Sequence, residues 1–312
     1  MTDDIWLAVP VSFVLSWAII GLRLRFADRG LDRPNHRSLH EKPTPHGGGL
    51  GIVLSLLTTG IWLGVPTLLL AMVLGLALLS LLDDGWHLPF WLRLVAHLAA
   101  AAALCHLLAL PYPWWPPMML AVGWMTNLYN FMDGADGLAG SQGVAGFAAY
   151  AAGFAIAGDA TMAAWCAAAA AACAGFLCFN WSPAEIFMGD VGSIPLGFMA
   201  GGVGLLGVRQ GAWPAWFPLL AFAPFVLDAS ATLARRALEG KPVWQAHREH
   251  LYQRMVQSGY GHRGMTSRWA LLMGAGAVLG VILLHVPAGL QWGAVLSWLT
   301  FLCLLGYRIA KK

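Results

Sequence analysis

The stretch from Trp124 to Gly140, WMTNLYNFMDGADGLAG, sets Asn127, Asn130 and Asp133 three residues apart, with Asp136 three further on. On a helix that interval stacks polar side chains along one face, and Gly134 and Gly137 then break the helix. Two amides and two carboxylates gather at the end of an apolar segment. They are hard oxygen donors, suited to Mg²⁺ and to the hydrogen-bonding edges of a sugar or nucleotide. A plain helix end with an Asp-Gly turn has the same local pattern, so the meaning depends on company elsewhere. Asp83-Asp84 closes the apolar run LLSLLDDGWH. Adjacent carboxylates repel unless a cation or basic group shares them, and at a helix C-terminus they also oppose the helix dipole. Asp190 sits between Gly189 and Gly192 just ahead of another apolar run. Asp228, inside FAPFVLDASATLARR, is an intramembrane carboxylate for which Arg235 and Arg236 are candidate structural partners.

Basic residues accompany these acids. Arg37, His40, Lys42 and His46 precede Gly47-Gly48-Gly49, where glycine N–H groups at a helix start suit a phosphate. A basic loop touching anionic headgroups is the plainer alternative. Arg93 and His97, four apart, either meet a lipid phosphate or snorkel, and snorkelling is the preferred reading. His247, Arg248, His250 and Arg254, beside Tyr252, form either a solvated basic helix or a cap that grips a diphosphate.

The elements that must position these groups are set by composition. Hydrophobic residues make up 59% of the 312, charged residues only 11%, and mean hydropathy is +0.66. Soluble domains carry about 25% charged residues, so the expectation is an all-α integral membrane protein of one domain, 1–312. Runs of Leu, Ala, Gly and Trp without polar alternation exclude a β-barrel. Spans of about 20 residues are expected near 5–24, 48–65, 66–82, 90–110, 114–132, 140–157, 160–180, 194–208, 213–233, 269–287 and 290–308. With about eleven spans, one side holds loops 24–47, 83–89, 133–139, 180–193 and 234–268 and the C-terminus. All Lys and Arg except Arg209 fall on or just inside that side. The positive-inside rule makes it cytoplasmic and the N-terminus external. The acidic start, MTDDIW, is unlike a signal peptide. The five cysteines lie in apolar runs without disulfide or metal spacing.

HEKPTPHGGG, LLDDG, NLYNFMDGADGLAG, FNWSPAEIFMGDVGS and HREHLYQR, in this order and spacing, resemble the polyprenyl-phosphate N-acetylhexosamine-1-phosphate transferases, the bacterial glycosyltransferase family 4, from Arg33 to His262. The resemblance implies Mg²⁺-dependent transfer of a sugar 1-phosphate from a UDP-N-acetylhexosamine to undecaprenyl phosphate, with release of UMP. Mn²⁺ is an allowed substitute, and a homodimer is left open. It implies a multi-pass protein of the bacterial inner membrane, working against the lipid bilayer with its site facing the cytoplasm and with no nucleic-acid partner. Position by position, Asp190 corresponds to the metal-binding carboxylate, and Asp83-Asp84 to a catalytic diacid, with Asp83 also a metal ligand. Asn127, Asn130, Asp133 and Asp136 correspond to the nucleotide-and-metal region. His46, Lys42, His247, Arg248 and His250 are the expected substrate contacts. Trp86-His87 and AHREH depart from the muramoyl-pentapeptide branch and look more like the branch that begins O-antigen and related surface glycans. A cation-coupled transporter is the alternative from another class; a CDP-alcohol phosphotransferase is disfavoured because Asp133-Gly134-Ala135-Asp136 breaks its pattern.

Overall fold

The computed structural model describes residues 4–26, 31–32, 39, 43–86, 88–242, 245 and 247–311. Thirteen α-helices are present among them: α1 (Ala8–Arg25), α2 (Gly49–Leu63), α3 (Thr67–Trp86), α4 (Phe90–Leu107), α5 (Trp115–Phe131), α6 (Leu138–Ala157), α7 (Ala160–Asn180), α8 (Asp190–Gln210), α9 (Trp216–Ala221), α10 (Ala223–Leu238), α11 (Leu251–Met255), α12 (Gly261–Leu283) and α13 (Ala288–Ala310). The strand pairing among described residues is one two-residue antiparallel ladder, Leu31–Asp32 with Thr44–Pro45. Each of the expected apolar segments contains a helix, as a hydrocarbon environment requires of backbone groups that have no water to bond. Among the described residues, seven helical stretches are long and apolar enough to cross a membrane, and Gly49–Leu63 is a shorter apolar helix.

α7 lies at the centre, its alanine-rich surface letting α1, α2 and α6 approach closely. Gly158, in the left-handed region, ends α6, and Asp159 caps α7 by accepting the Met162 N–H at 2.9 Å. That pairing turns the chain back within two residues. α8 is almost wholly buried against α3 and α5, whereas α13 lies at the rim and meets α10 and α11.

The ninth expected span is broken at Phe222 into α9 and α10. Pro224 has no N–H to offer the Leu220 carbonyl, so the helix cannot run through. The Gln142 amide donates to the Ala221 carbonyl at 2.9 Å and satisfies one group freed by the break. The loop expected at 234–268 is also largely helical: α10 continues to Leu238, α11 follows the loop, and a wide turn, Val256–Tyr260, leads into α12. α3 extends past Asp83-Asp84 to Trp86, and α8 begins at Asp190 itself.

Polar helix ends meet on one face. The C-terminal ends of α3, α5, α7 and α10 lie with the N-terminal ends of α2, α4, α6, α8 and α12, linked by the contacts described next. Arg209, at the opposite end of α8, bonds instead to the Leu108 carbonyl beyond the far end of α4.

Candidate active site

Asp83 stands in the last turn of α3. Its Oδ1 accepts the Leu88 N–H at 2.7 Å, which folds the connection into α4, and its Oδ2 takes Arg93 Nη1 at 2.8 Å. The guanidinium offsets an acid that would otherwise oppose the helix dipole. The same Arg93 nitrogen lies 3.8 Å from Asp190 Oδ2, so one cation spans the acids of α3 and α8. Asn130, in the last turn of α5, donates to Asp190 Oδ1 at 2.8 Å and reaches Ser193 Oγ at 2.9 Å. The result is a continuous polar chain, Asp83–Arg93–Asp190–Asn130–Ser193, across four helix ends.

Asp133 adjoins this chain. Burial and the Asp190 charge push its carboxyl well above the ordinary carboxylate range, against a hydrogen bond from the Gly189 N–H. The Asp133 and Asp190 carboxyls thus lie close enough to repel, and hard oxygen donors of that kind suit a divalent ion. Among the described residues no group of three His, Cys, Asp or Glu is clustered for a metal. Mg²⁺ commonly uses only one or two carboxylates together with substrate phosphates and water, so the pair fits that ion.

On the other flank the main chain of 45–49 runs against 187–189. Phe187 N–H donates to the Pro45 carbonyl at 2.8 Å, Gly48 N–H to Phe187 at 2.9 Å and Gly49 N–H to Met188 at 2.9 Å. The Gly48 and Gly49 N–H groups are thus spent on protein carbonyls, which tells against the phosphate cradle, one of the two readings open at the start of α2. The glycines serve close approach instead, since a Cβ on Gly192 would stand 2.6 Å from the Gly49 Cα. His46 is thereby held beside Gly189, with Nδ1 3.8 Å from Asp84 Oδ2. Lys42, Arg37, His40 and His87 lie outside the described residues.

Arg93 and His97 do not snorkel. Arg93 is ion-paired as above, and His97 is buried with a hydrogen bond to Asn127. Asn127 also donates within α5 to the Gly123 carbonyl at 2.7 Å, so its His97 contact ties α4 to α5 one turn from Asn130.

Asp228 is fully buried, but its partners are not Arg235 and Arg236. It accepts the N–H groups of Leu251 at 2.8 Å and Tyr252 at 3.1 Å, and the Thr232 hydroxyl at 3.2 Å. An intramembrane acid is thus used to cap α11 and seat the late loop. Arg235 and Arg236 grip Glu249 instead, with Lys241 3.5 Å away. Their charges hold the Glu249 carboxyl below its usual range even though burial would raise it. His247 meets His250 in a tilted ring contact, His250 stacks on Tyr252, and the Tyr252 hydroxyl donates to the Phe131 carbonyl at 3.2 Å, just before Asp133. Burial, followed by the nearby His250 and Arg236, lowers His247 to about 4. It is a neutral imidazole at neutral pH; Arg248, next in the chain, is exposed, and Arg254 donates to the Glu249 and Ala310 carbonyls at 3.2 Å each. His250 is only 4% exposed.

Sequence reasoning placed Arg93 wrongly and passed over Ser193 and His262. Ser193 follows Asp190 by one helical turn, a spacing signal that was available. His262 bears no sequence signal, because its partner Asp136 is 126 residues away.

Residues 66–208 match the family model described as glycosyl transferase family 4. A Bacillus subtilis protein named "Probable undecaprenyl-phosphate N-acetylglucosaminyl 1-phosphate transferase" is 27% identical over 84% of this chain and 81% of its own length. The Mycolicibacterium smegmatis decaprenyl-phosphate N-acetylglucosaminephosphotransferase is 26% identical over 82% and 75%, respectively. The Yersinia pestis undecaprenyl-phosphate alpha-N-acetylglucosaminyl 1-phosphate transferase is 27% identical over 96% and 90%. The family match and these relatives support the polyprenyl-phosphate N-acetylhexosamine-1-phosphate transferase family for this chain.

Proposed function

We propose that the protein transfers N-acetylhexosamine 1-phosphate from a UDP-sugar to undecaprenyl phosphate, releasing UMP and starting a surface glycan of the O-antigen kind. The observation that carries the reading is the Asp83–Arg93–Asp190–Asn130 chain at the ends of apolar helices. At that depth a membrane-anchored phosphate meets a soluble diphosphate. An oxygen of the lipid phosphate forms a bond to the sugar-linked phosphorus. The bond from that phosphorus to the bridging oxygen breaks, and the oxygen leaves on UMP.

Chemistry of this type depends mainly on positioning and on charge placed in advance. Arg93 stabilises charge spreading over the phosphoryl oxygens, and Asp83 orients Arg93. Asp84 and His46 flank the lipid phosphate. Asn130 fixes the direction of Asp190, while Arg248 offers a cation to the donor phosphates. Mg²⁺, or Mn²⁺ in its place, would be held by Asp190 and Asp133 and would neutralise the diphosphate. Asp83, the other expected metal ligand, already uses both oxygens on Leu88 and Arg93, so the reading assigns it to positioning. The charge distribution supports a bacterial cytoplasmic-membrane location with this face inward. A transporter has no comparable support, since Asp228, set within the bundle, caps α11.

The test is UMP release by purified protein given undecaprenyl phosphate, a panel of UDP-N-acetylhexosamines and Mg²⁺. EDTA should abolish release and added Mg²⁺ restore it. Asp190→Asn should remain folded and inactive; near-normal turnover across a range of Mg²⁺ would refute its role.

A further inference from the structure

Asp136 was expected among the nucleotide and metal contacts, yet its polar atoms are engaged by protein. Its Oδ1 lies 3.2 Å from His262 Nδ1, and Oδ2 accepts the Ala184 N–H at 3.2 Å. Its carbonyl accepts the Thr266 hydroxyl at 2.6 Å, and its own N–H also lies 3.2 Å from His262 Nδ1, which accepts from it only in the tautomer that does not donate to Oδ1. Burial alone would raise this carboxyl, but the His262 contact and the Ala184 N–H hold it below the ordinary range. The other imidazole nitrogen, Nε2, lies 3.4 Å from the Leu39 carbonyl. One side chain on α12 therefore joins the first loop to the Asp133–Gly137 turn, and Asp136 extends the link to the 182–185 segment.

The turn needs such a clasp. Gly134 and Gly137 leave it pliant, and its other fixed points include the Asn180 side chain on the Gly137 N–H, the Thr266 hydroxyl on the Asp136 carbonyl, the Gly189 N–H on Asp133 and Tyr252 on the Phe131 carbonyl. We propose that His262 is a positioning residue for the transfer: by clasping Asp136 and the Leu39 carbonyl it sets where Asp133 stands against Asp190. The inference rests on the transferase reading above. Loss of the imidazole leaves a buried carboxylate without its main partner, and the turn relaxes. Asp133, three residues away, moves with it. A misplacement of about 1 Å from a change outside the chemistry can cost about 100-fold.

The experiment compares wild type, His262→Ala, His262→Asn and Asp136→Asn. UMP release is followed at varied UDP-N-acetylglucosamine, undecaprenyl phosphate and Mg²⁺, with thermal unfolding measured in parallel. His262→Ala should raise the KM for the nucleotide sugar, or the half-saturating Mg²⁺, by about tenfold or more, with the lipid KM nearly unchanged. His262→Asn keeps a donor near the Nδ1 position and should recover most of the loss. Asp136→Asn, nearly isosteric, should reproduce the defect and decides the matter if His262→Ala fails to fold. Unchanged kinetics in His262→Ala, or a loss of kcat that merely tracks folded protein with every KM intact, overturns the proposal. A wild type silent with every UDP-N-acetylhexosamine of the panel instead overturns the transferase reading itself.

Discussion

Arg93 is shared between Asp83 and Asp190, and that sharing makes it more consequential for activity than for stability. It is partly exposed, so water screens the pairs and their contribution to folding is about 1 kcal/mol or less. In a transition state that spreads charge over phosphoryl oxygens, removing one preplaced donor costs about 100-fold or more. Arg93→Met is therefore expected to fold with a nearly unchanged unfolding midpoint and to lose most UMP release. A fall in both together would make Arg93 structural. His247 gives a pH signature. Its folded pKa, about 4, lies below the ordinary histidine value of 6.5, so between those limits the unfolded chain binds more protons. Stability contributed by neutral His247 is full above about 6.5 and is lost as pH falls toward 4. The held-down carboxyls of Asp136 and Glu249 extend the acid sensitivity lower still. Unfolding midpoints measured from pH 7 to 4 should decline, and His247→Gln should flatten that decline. At this scale the acids were legible, because carboxylates beside apolar runs demand a reason. Their partners were not: Arg93 lies ten residues and one turn from Asp83, and either snorkelling or pairing satisfies its sequence.

At the level of elements, the site depends on α2 and α8 touching through bare backbone. A Cβ on Gly192 would stand 2.6 Å from the Gly49 Cα and 2.5 Å from Met188 Cγ, so Gly192→Ala must push the helices apart. Overpacking of this kind costs about 1–3 kcal/mol. The variant should lose folded yield by size-exclusion chromatography, and the surviving fraction should show impaired transfer because His46 and Asp190 ride on the displaced ends. Full activity per folded molecule would show the contact to be irrelevant to the site. Hydropathy marked every long helix, since runs of twenty apolar residues leave little choice of structure in a membrane. It missed the break at Phe222, because Pro224 inside an apolar run is compatible with either a kink or a stop. Of the two readings open for Gly47-Gly48-Gly49, an anion cradle or a basic loop at the headgroups, the first loses the Gly48 and Gly49 N–H groups to the Phe187 and Met188 carbonyls, a pairing no local pattern announces.

For the molecule as a whole, the polar helix ends gather on one face and Arg209 lies at the other, so the charge asymmetry of the sequence becomes a geometric one. On a background lacking the exposed thiols Cys178 and Cys303, Gln245→Cys should react with an impermeant maleimide only after the cytoplasmic membrane is opened. Gln210→Cys should react from outside. The reverse pattern would invert the protein and remove the site from its UDP-sugar supply. Orientation was readable because it depends on summed charge, whereas convergence of five loops depends on helix packing that no local pattern encodes. The most direct measurement of the central claim is the stoichiometry of products from purified protein in liposomes containing undecaprenyl phosphate and supplied with UDP-N-acetylglucosamine and Mg²⁺. The account predicts equal amounts of UMP and a lipid heavier by one N-acetylhexosamine phosphate. Release of UDP with transfer of the sugar alone, or consumption of donor without a lipid product, would contradict it.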